Sequence, residues 1–120
     1  MIIAVDFDHT LSLGTHYPHL GQPNYPLIRA LTQLHELGHT IILWTCREGP
    51  ELEDAVQWCK QYNVPIDYVN ENVPWLSFDC RKIVADYYID DCAVYADDEA
   101  RIVDIVHKAL TDRFGKNWNE

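Results

Sequence analysis

Four acidic residues stand in two pairs, and each pair directly follows an apolar run that reads as a buried strand. Asp6 and Asp8 follow residues 2–5, whereas Asp90 and Asp91 follow Tyr-Tyr-Ile. Carboxylates held close together repel, and burial raises the cost of their charge, so such a cluster needs compensation. Mg²⁺ is the first candidate, because it prefers oxygen ligands and typically takes one or two carboxylates, waters and a substrate phosphate. The first pair also offers a nucleophile and a proton shuttle.

Other polar side chains follow the same pattern. Thr45 ends a second apolar run and offers a hydroxyl to a phosphate oxygen, and Lys82 supplies a cation eight positions before Asp90. A lysine there could hold the acids together and offset phosphate charge. The set matches what phosphoryl transfer needs, namely positioning and cations against developing charge. His9, Arg47 and Asn70 are candidates for substrate contacts, and a turn role is equally open for Asn70.

The elements that must position these residues alternate between strands and helices. Apolar runs predict strands at 2–6, 39–45, 65–70 and 85–91, with 92–96 either continuing the last strand or forming a fifth. Residues 12–25 predict an ordered loop or small hairpin, and 71–82 a loop with at most one helical turn. Helices are predicted from Pro26 to near Gly38, from near Pro50 through Cys59, and from Asp97 or Asp98 to Gly115. Their predicted inward residues are Leu27, Leu31, Leu34, Leu37; Leu52, Ala55, Val56, Cys59; and Ile102, Ile105, Val106, Leu110.

This alternation predicts one α/β domain over residues 1–120, Rossmann-like, with three α/β/α layers around a mostly parallel sheet. In such folds ligands bind beyond the carboxyl ends of the strands. The hypothesis therefore requires the first and fourth strands to be neighbours, so that their terminal acids meet.

Composition narrows the partners and the setting. The chain has 9 basic and 19 acidic residues, a formal charge of −10, and no Lys/Arg cluster, so an extended nucleic acid is disfavoured. No apolar run is long enough to cross a bilayer, and no basic segment precedes the first apolar run, which argues against a membrane span and a secretory signal. The four cysteines show no C-x-x-C spacing. A reducing cytoplasmic setting is therefore expected.

The ordered motifs resemble those of the haloacid dehalogenase (HAD) superfamily. "DFDHTL" resembles its D-x-D-x-T-[LV] signature, "IILWT" its second motif, and "RK" followed by "YYIDD" its third and fourth motifs. Together they span residues 2–91. The segments "YPHLGQPNYP", "ILWTCREG" and "ADYYIDD" are similar to a group of small bacterial HAD-like hydrolases.

The resemblance implies a Mg²⁺-dependent phosphatase that works through an aspartyl-phosphate. Asp6 would be the nucleophile, and Asp8 the general acid/base that also lends its backbone carbonyl to Mg²⁺. Thr45 and Lys82 would bind phosphate. Asp90 and Asp91 would complete the metal site, with Asp91 favoured as the direct ligand.

Two features depart from the larger members of that superfamily. His9 stands where many members have glycine. The gaps between motifs hold no cap domain, which by analogy implies a large phosphorylated substrate or a covering partner such as a second subunit. The substrate class stays open. Two rival hypotheses are a receiver-like phospho-acceptor module and a non-catalytic Mg²⁺/phosphate-binding domain.

Overall fold

A computed structural model describes residues 1–116 of the chain. Within that range the chain forms six strands and three helices. In chain order these are β1 (Ile2–Val5), β2 (Ser12–Leu13), β3 (Gln22–Pro23), α1 (Tyr25–Glu36), β4 (Thr40–Leu43), α2 (Gly49–Gln61), β5 (Tyr68–Val69), β6 (Tyr87–Ile89) and α3 (Glu99–Phe114).

Four strands form a parallel sheet in the order β5-β4-β1-β6. Strand β1 is central, and its residues Ile3, Ala4 and Val5 lie opposite Tyr87, Tyr88 and Ile89 of β6. The predicted α/β class and the mostly parallel sheet are therefore confirmed. So is the pairing of the first and fourth predicted strands, which are β1 and β6. The short strands β2 and β3 form a separate antiparallel hairpin, within the segment predicted to hold a loop or hairpin.

One face of the sheet carries α1 and α2. Alternate residues of β1 and β4 point to this face and pack with Phe7, Leu31 of α1 and Trp58 of α2 in one buried cluster. Ala55 and Cys59 are buried as predicted, and Leu52 and Val56 are half-buried. Trp58, which the helical spacing did not single out, is the largest buried side chain of α2.

The opposite face is covered without a helix. The chain from residue 70 to residue 86 returns across the sheet, and Val73 and Ile83 from it pack against Ala4 and Ile42. The return runs over the face opposite α1 and α2, as expected when all crossovers share one hand. The third layer of the predicted sandwich is therefore irregular chain, and no helical turn forms between residues 71 and 82.

Helices α1 and α3 each begin at a residue whose side chain caps the helix. The Asn24 side chain accepts from the Leu27 backbone N–H at the start of α1, and Asp98 accepts from the Arg101 N–H at the start of α3. Gly38 and Gly115 adopt positive φ just after their helices, as the sequence predicted for helix stops. Leu37 was predicted to face inward; it is the last-turn cap of α1 and is 76% exposed.

The last part of the described chain differs from its prediction in two ways. Residues 92–96 neither extend β6 nor form a fifth strand. Helix α3 exists, but Ile102, Ile105 and Val106 were predicted inward and are exposed, and Leu110 is only half-buried. Helical spacing reports which residues share a face; it does not say whether the chain turns that face toward the core.

Over residues 1–116, no helix combines the length and the hydropathy needed to cross a membrane.

Candidate active site

The site is built where two strands end side by side. The Asp6 backbone N–H donates to the Ile89 carbonyl at 2.9 Å, so the pairing of β1 with β6 continues to the first acid. From β1 the chain proceeds through β4 to β5 on one side and reaches β6 on the other. Such a change of direction opens a crevice at the carboxyl ends of the strands, which is where ligands bind in open α/β sheets.

Asp6 lies at this end of the sheet and is half-buried. Its pKa is raised to about 6, first by burial, and then by the charge of Asp90 and a side-chain hydrogen bond shared with Asp91. Two hydrogen bonds lower the pKa of Asp6. One comes from the Phe7 backbone, and the other from the Thr10 hydroxyl, which donates to Asp6 Oδ2 at 3.2 Å. The net result is a carboxylate with too little compensation for its charge.

The second acid pair sits in a tight turn after β6. Asp90 Oδ1 accepts from the Cys92 backbone N–H at 3.0 Å, and the ligand atoms of Asp90, Asp91 and Cys92 lie within 4.8 Å of one another. Desolvation opposes ionisation of Asp91, but hydrogen bonds with Asp90, Cys92 and Asp6 outweigh it and lower its pKa. The carboxylate oxygens suit a hard cation such as Mg²⁺, whereas the thiol of Cys92 does not.

Asp8 is engaged elsewhere. Its two carboxylate oxygens accept from Nε and Nη2 of Arg47 at 2.9 and 2.7 Å. The other guanidinium N–H groups donate to the backbone carbonyls of Pro18, His19 and Glu51. A guanidinium has five N–H donors, so this geometry occupies all of them.

Arg47 is therefore a buried structural residue and does not face solvent. Its side chain is 1% exposed, and its guanidinium lies 4.9 Å from the Phe7 ring and 5.1 Å from the Tyr17 ring. The hydrogen bonds with Asp8 raise the pKa of the guanidinium. The sequence suggested Arg47 as a substrate contact, but its guanidinium donates to Asp8, to the loop before β3 and to the Glu51 carbonyl in α2.

Thr45 and Asn70 meet at the next strand ends. The Thr45 backbone N–H donates to Asn70 Oδ1 at 2.8 Å, and the Thr45 hydroxyl accepts from the Arg47 N–H at 3.2 Å. Asn70 has a φ of 52°, a conformation that asparagine tolerates better than most residues. Asn70 therefore holds the chain that presents Thr45, a turn role that the sequence left open beside substrate contact.

Lys82 lies beside β6, next to Tyr88. Its ammonium lies 5.5 Å from the centroid of the Tyr88 ring, and it forms no ion pair with the acids of residues 1–116. Its backbone carbonyl accepts from Asn72 Nδ2, which fixes this part of the return segment. Tyr88 in turn lies against Trp44.

His9 has a left-handed backbone conformation. Its φ is 63°, in the region that favours glycine and that histidine adopts more often than most other residues. The imidazole is exposed and lies 5.4 Å from the His16 ring.

The residues that sequence reasoning missed are those that support the acids. Thr10 belongs to the quoted motif but was given no role, and Asn24 Nδ2 holds the Thr10 carbonyl at 2.9 Å. Cys92 directly follows the second acid pair. Thr10 and Cys92 stand in or beside the motifs, whereas Asn24 lies 14 positions after Thr10 and carries no local signal.

The fold and the site define a Rossmann-like α/β protein with an acidic cluster at the change of strand direction. The chain belongs to the same family as a conserved protein from Bacteroides thetaiotaomicron of known structure. The two are 31% identical with a TM-score of 0.69, over 97% of this chain and 98% of that one. A Vibrio cholerae protein of known structure is 25% identical over 90% of this chain and 98% of its own, with a TM-score of 0.46. No protein-family model and no curated protein matches the chain.

Proposed function

We propose that this protein is a Mg²⁺-dependent phosphatase that hydrolyses phosphomonoesters, with Asp6 as the nucleophile. The observation that carries the proposal is the meeting of Asp6 with Asp90 and Asp91 at adjacent strand ends. Their carboxylates share a hydrogen bond and repel, so a divalent cation would relieve the cluster. The HAD-like motifs quoted above support the same assignment.

The reaction would proceed by two displacements at phosphorus. A carboxylate oxygen of Asp6 attacks the phosphorus atom, the ester P–O bond breaks, and the leaving oxygen takes a proton from Asp8. Water then gives a proton back to Asp8 as it attacks the phosphorus of the aspartyl-phosphate, which releases inorganic phosphate and regenerates Asp6. Mg²⁺ would offset the charge of the phosphoryl oxygens.

Three carboxylates and one carbonyl would hold that cation. They belong to Asp6, Asp90 and Asp91, and to the backbone of Asp8. The Thr45 hydroxyl would donate its O–H to a phosphoryl oxygen while its oxygen keeps accepting from the Arg47 backbone N–H. Lys82 would reach the phosphate by swinging its flexible side chain away from Tyr88.

Asp8 would serve as the general acid/base, but its ion pair with Arg47 must first loosen. A carboxylate whose two oxygens both accept from one guanidinium cannot deliver a proton until the pair loosens. Productive binding of substrate would therefore have to shift Asp8 relative to Arg47. Because Arg47 is anchored by three carbonyls, Asp8 is the partner that would move.

The test is turnover of an aryl phosphate by the full chain with Mg²⁺, compared with Asp6→Asn. Wild-type protein should release phosphate, EDTA should abolish the release, and Asp6→Asn should lower the rate at least 1,000-fold, on the order expected for loss of a nucleophile. Asp112→Asn, an exposed acid on α3, is the matched control and should keep full activity. Failure of the wild type with a panel of phosphomonoesters would contradict the proposal.

The Arg47–Asp8 pair favours a second candidate, a phospho-acceptor module of the receiver type. If Asp8 stays paired, no proton shuttle assists the attack of water, and phosphate would remain on Asp6. Labelling with acetyl phosphate separates the two functions. A label that persists for hours favours the module, whereas a label that turns over within seconds favours the phosphatase. A domain that binds Mg²⁺ and phosphate without any transfer would show neither label nor turnover.

The setting proposed for this activity is the cytoplasm. Cys46, Cys59, Cys80 and Cys92 are all free thiols in the structure, which supports the reducing environment predicted from the sequence.

A further inference from the structure

Helix α3 presents an apolar face that nothing in residues 1–116 buries. Ile102, Ile105 and Val106 share one side of the helix and are 41%, 51% and 53% exposed. These three residues are called here the α3 face. Isoleucine and valine at this spacing normally pack against another element, and a contiguous exposed apolar face on a soluble domain marks an interaction site.

The sheet has an open groove beside β6, the strand that precedes α3. A cavity of about 230 Å³ lies between α1 and this edge strand, lined by Met1, Ile3, Leu34 and Ile89 together with tyrosines. Tyr95 lines both this cavity and a neighbouring hollow at the edge of β6, where Asp86 and Asp90 add acidic groups. The first cavity, between α1 and β6, is called here the β6 groove. In α/β folds the helix that follows a strand normally covers such a position.

The helix of the same chain does not fill the groove, because α3 points away from the body. Asp98 caps α3 through its side chain and accepts the first helical bond from Ile102, so the helix starts directly after the turn at Tyr95. The radius of gyration is 17.1 Å, whereas a compact domain of this length has a radius of about 14 Å. The longest extent of the molecule is 53 Å.

We infer that the β6 groove binds α3 of a second copy of this chain, in a two-fold dimer that exchanges the two helices. The α3 face and the β6 groove are both apolar and both open in one molecule, so reciprocal exchange buries them together. The inference does not depend on the proposed phosphatase activity.

The area that α3 would bury and the net charge of α3 both support a second copy of the chain as the occupant of the β6 groove. A 16-residue helix is about 24 Å long and about 10 Å wide, so two such contacts, counted on both partners, would bury roughly 1,000 Å², about the minimum for a biological interface. Residues 99–114 carry three acids and three bases, whereas the whole chain carries a net charge of −10. The neutral helix can therefore approach an acidic second copy without the repulsion that two acidic surfaces would meet.

Disulfide trapping in the full-length chain tests the exchange. The background replaces the exposed cysteines by serine and keeps buried Cys59. Leu34→Cys is placed in one tagged chain and Val106→Cys in an untagged chain, and the two are mixed and oxidised. We expect a reducible tagged–untagged product in the share of the protein that random mixing places in mixed dimers, and a wild-type mass in solution of twice that of one chain. Asp104→Cys, on the opposite side of α3, is the matched control and should give little product.

Other results would overturn the inference. A chain carrying both Leu34→Cys and Val106→Cys that forms only an internal disulfide would show that α3 folds back on its own body. Absence of any crosslink would show that the groove does not bind α3. The double substitution Ile105→Asp/Val106→Asp should weaken self-association at least tenfold, and Lys108→Asp should not. Because these side chains are exposed in the single chain, the substitutions leave its core intact, and a dimer that survives them contradicts the exchange.

Discussion

At the residue scale, the Asp8–Arg47 pair is the most completely satisfied polar contact of the site. A buried guanidinium that loses part of its hydrogen bonding leaves both the carboxylate and several carbonyls unpaired. Lysine keeps the charge but lacks the planar fork that reaches Asp8 with two parallel bonds. Arg47 therefore connects Asp8 to the loop between β2 and β3 and to the first turn of α2.

We predict that Arg47→Lys lowers the free energy of unfolding by about 2–3 kcal/mol. Chemical denaturation monitored by tryptophan fluorescence measures the change, with Arg101→Lys on exposed α3 as a control that should cost less than about 0.5 kcal/mol. The double variant Asp8→Asn/Arg47→Lys should lose less than the sum of the single variants. Full additivity would mean that the two side chains do not interact in solution.

The raised pKa of Asp6 makes the stability of the folded chain depend on pH. Its pKa rises from 3.8 to about 6 on folding, so the folded chain holds this proton more tightly than the unfolded chain does. The linked stability is present below pH 4, is lost as the pH rises from about 4 to about 6, and stays lost above that range.

Asp6→Asn should therefore stabilise the metal-free protein at pH 7.5 and not at pH 4. The gain at pH 7.5 should be about 1–2 kcal/mol once solvent screening of this half-buried group is allowed for. Thermal unfolding in EDTA at the two pH values measures it, and Asp112→Asn supplies the matched loss of one charge. An equal effect of Asp6→Asn at both pH values would show that Asp6 is not under electrostatic strain.

At the element scale, α2 connects the core to the loop around the site. The Trp58 indole N–H donates to the Gly21 carbonyl at 3.1 Å, and its ring meets Phe7 edge-to-face at a centroid distance of 5.1 Å. Gly21 itself passes so close to β2 that a Cβ there would lie 2.1 Å from the Leu13 carbonyl oxygen. Helix and hairpin thus fix each other through one side chain and one close backbone approach.

Trp58→Phe should lower the free energy of unfolding by about 1–3 kcal/mol, from the lost hydrogen bond and the smaller ring. Trp75→Phe is the matched control, because Trp75 is 62% exposed, and it should change stability by less than about 0.5 kcal/mol. Urea titration followed by far-UV circular dichroism compares the two. A Trp58→Phe protein as stable as the control would contradict the packing role of Trp58.

The elements also show what a sequence can predict and what it cannot. Apolar runs and caps located β1, β4, α1 and α2 to within a few residues, because burial and capping are local signals. Strand β5 has only two residues, since pairing with β4 and not apolar content sets its length. The exposure of the α3 face depends on where the chain turns after residue 92, and no periodicity records that turn.

At the scale of the whole molecule, the strand order β5-β4-β1-β6 brings the separate motifs together at one edge of the sheet. The sequence predicted that Asp6 would meet the second acid pair, because parallel strands present their carboxyl ends at one edge. It did not predict that Arg47 would be buried and fully bonded, because its partners come from three other segments. Long-range side-chain pairing of this kind becomes visible only when the fold is assembled.

The central claim is that Asp6 becomes covalently phosphorylated, and the stereochemical outcome at phosphorus tests it most directly. Each in-line displacement inverts the phosphorus atom, so two displacements through Asp6 give net retention. We predict that hydrolysis of an oxygen-isotope-labelled chiral phosphorothioate monoester in isotopically labelled water, by the full chain with Mg²⁺, gives chiral thiophosphate with retention at phosphorus. Inversion would mean that water attacks the substrate directly, and it would contradict the role assigned to Asp6.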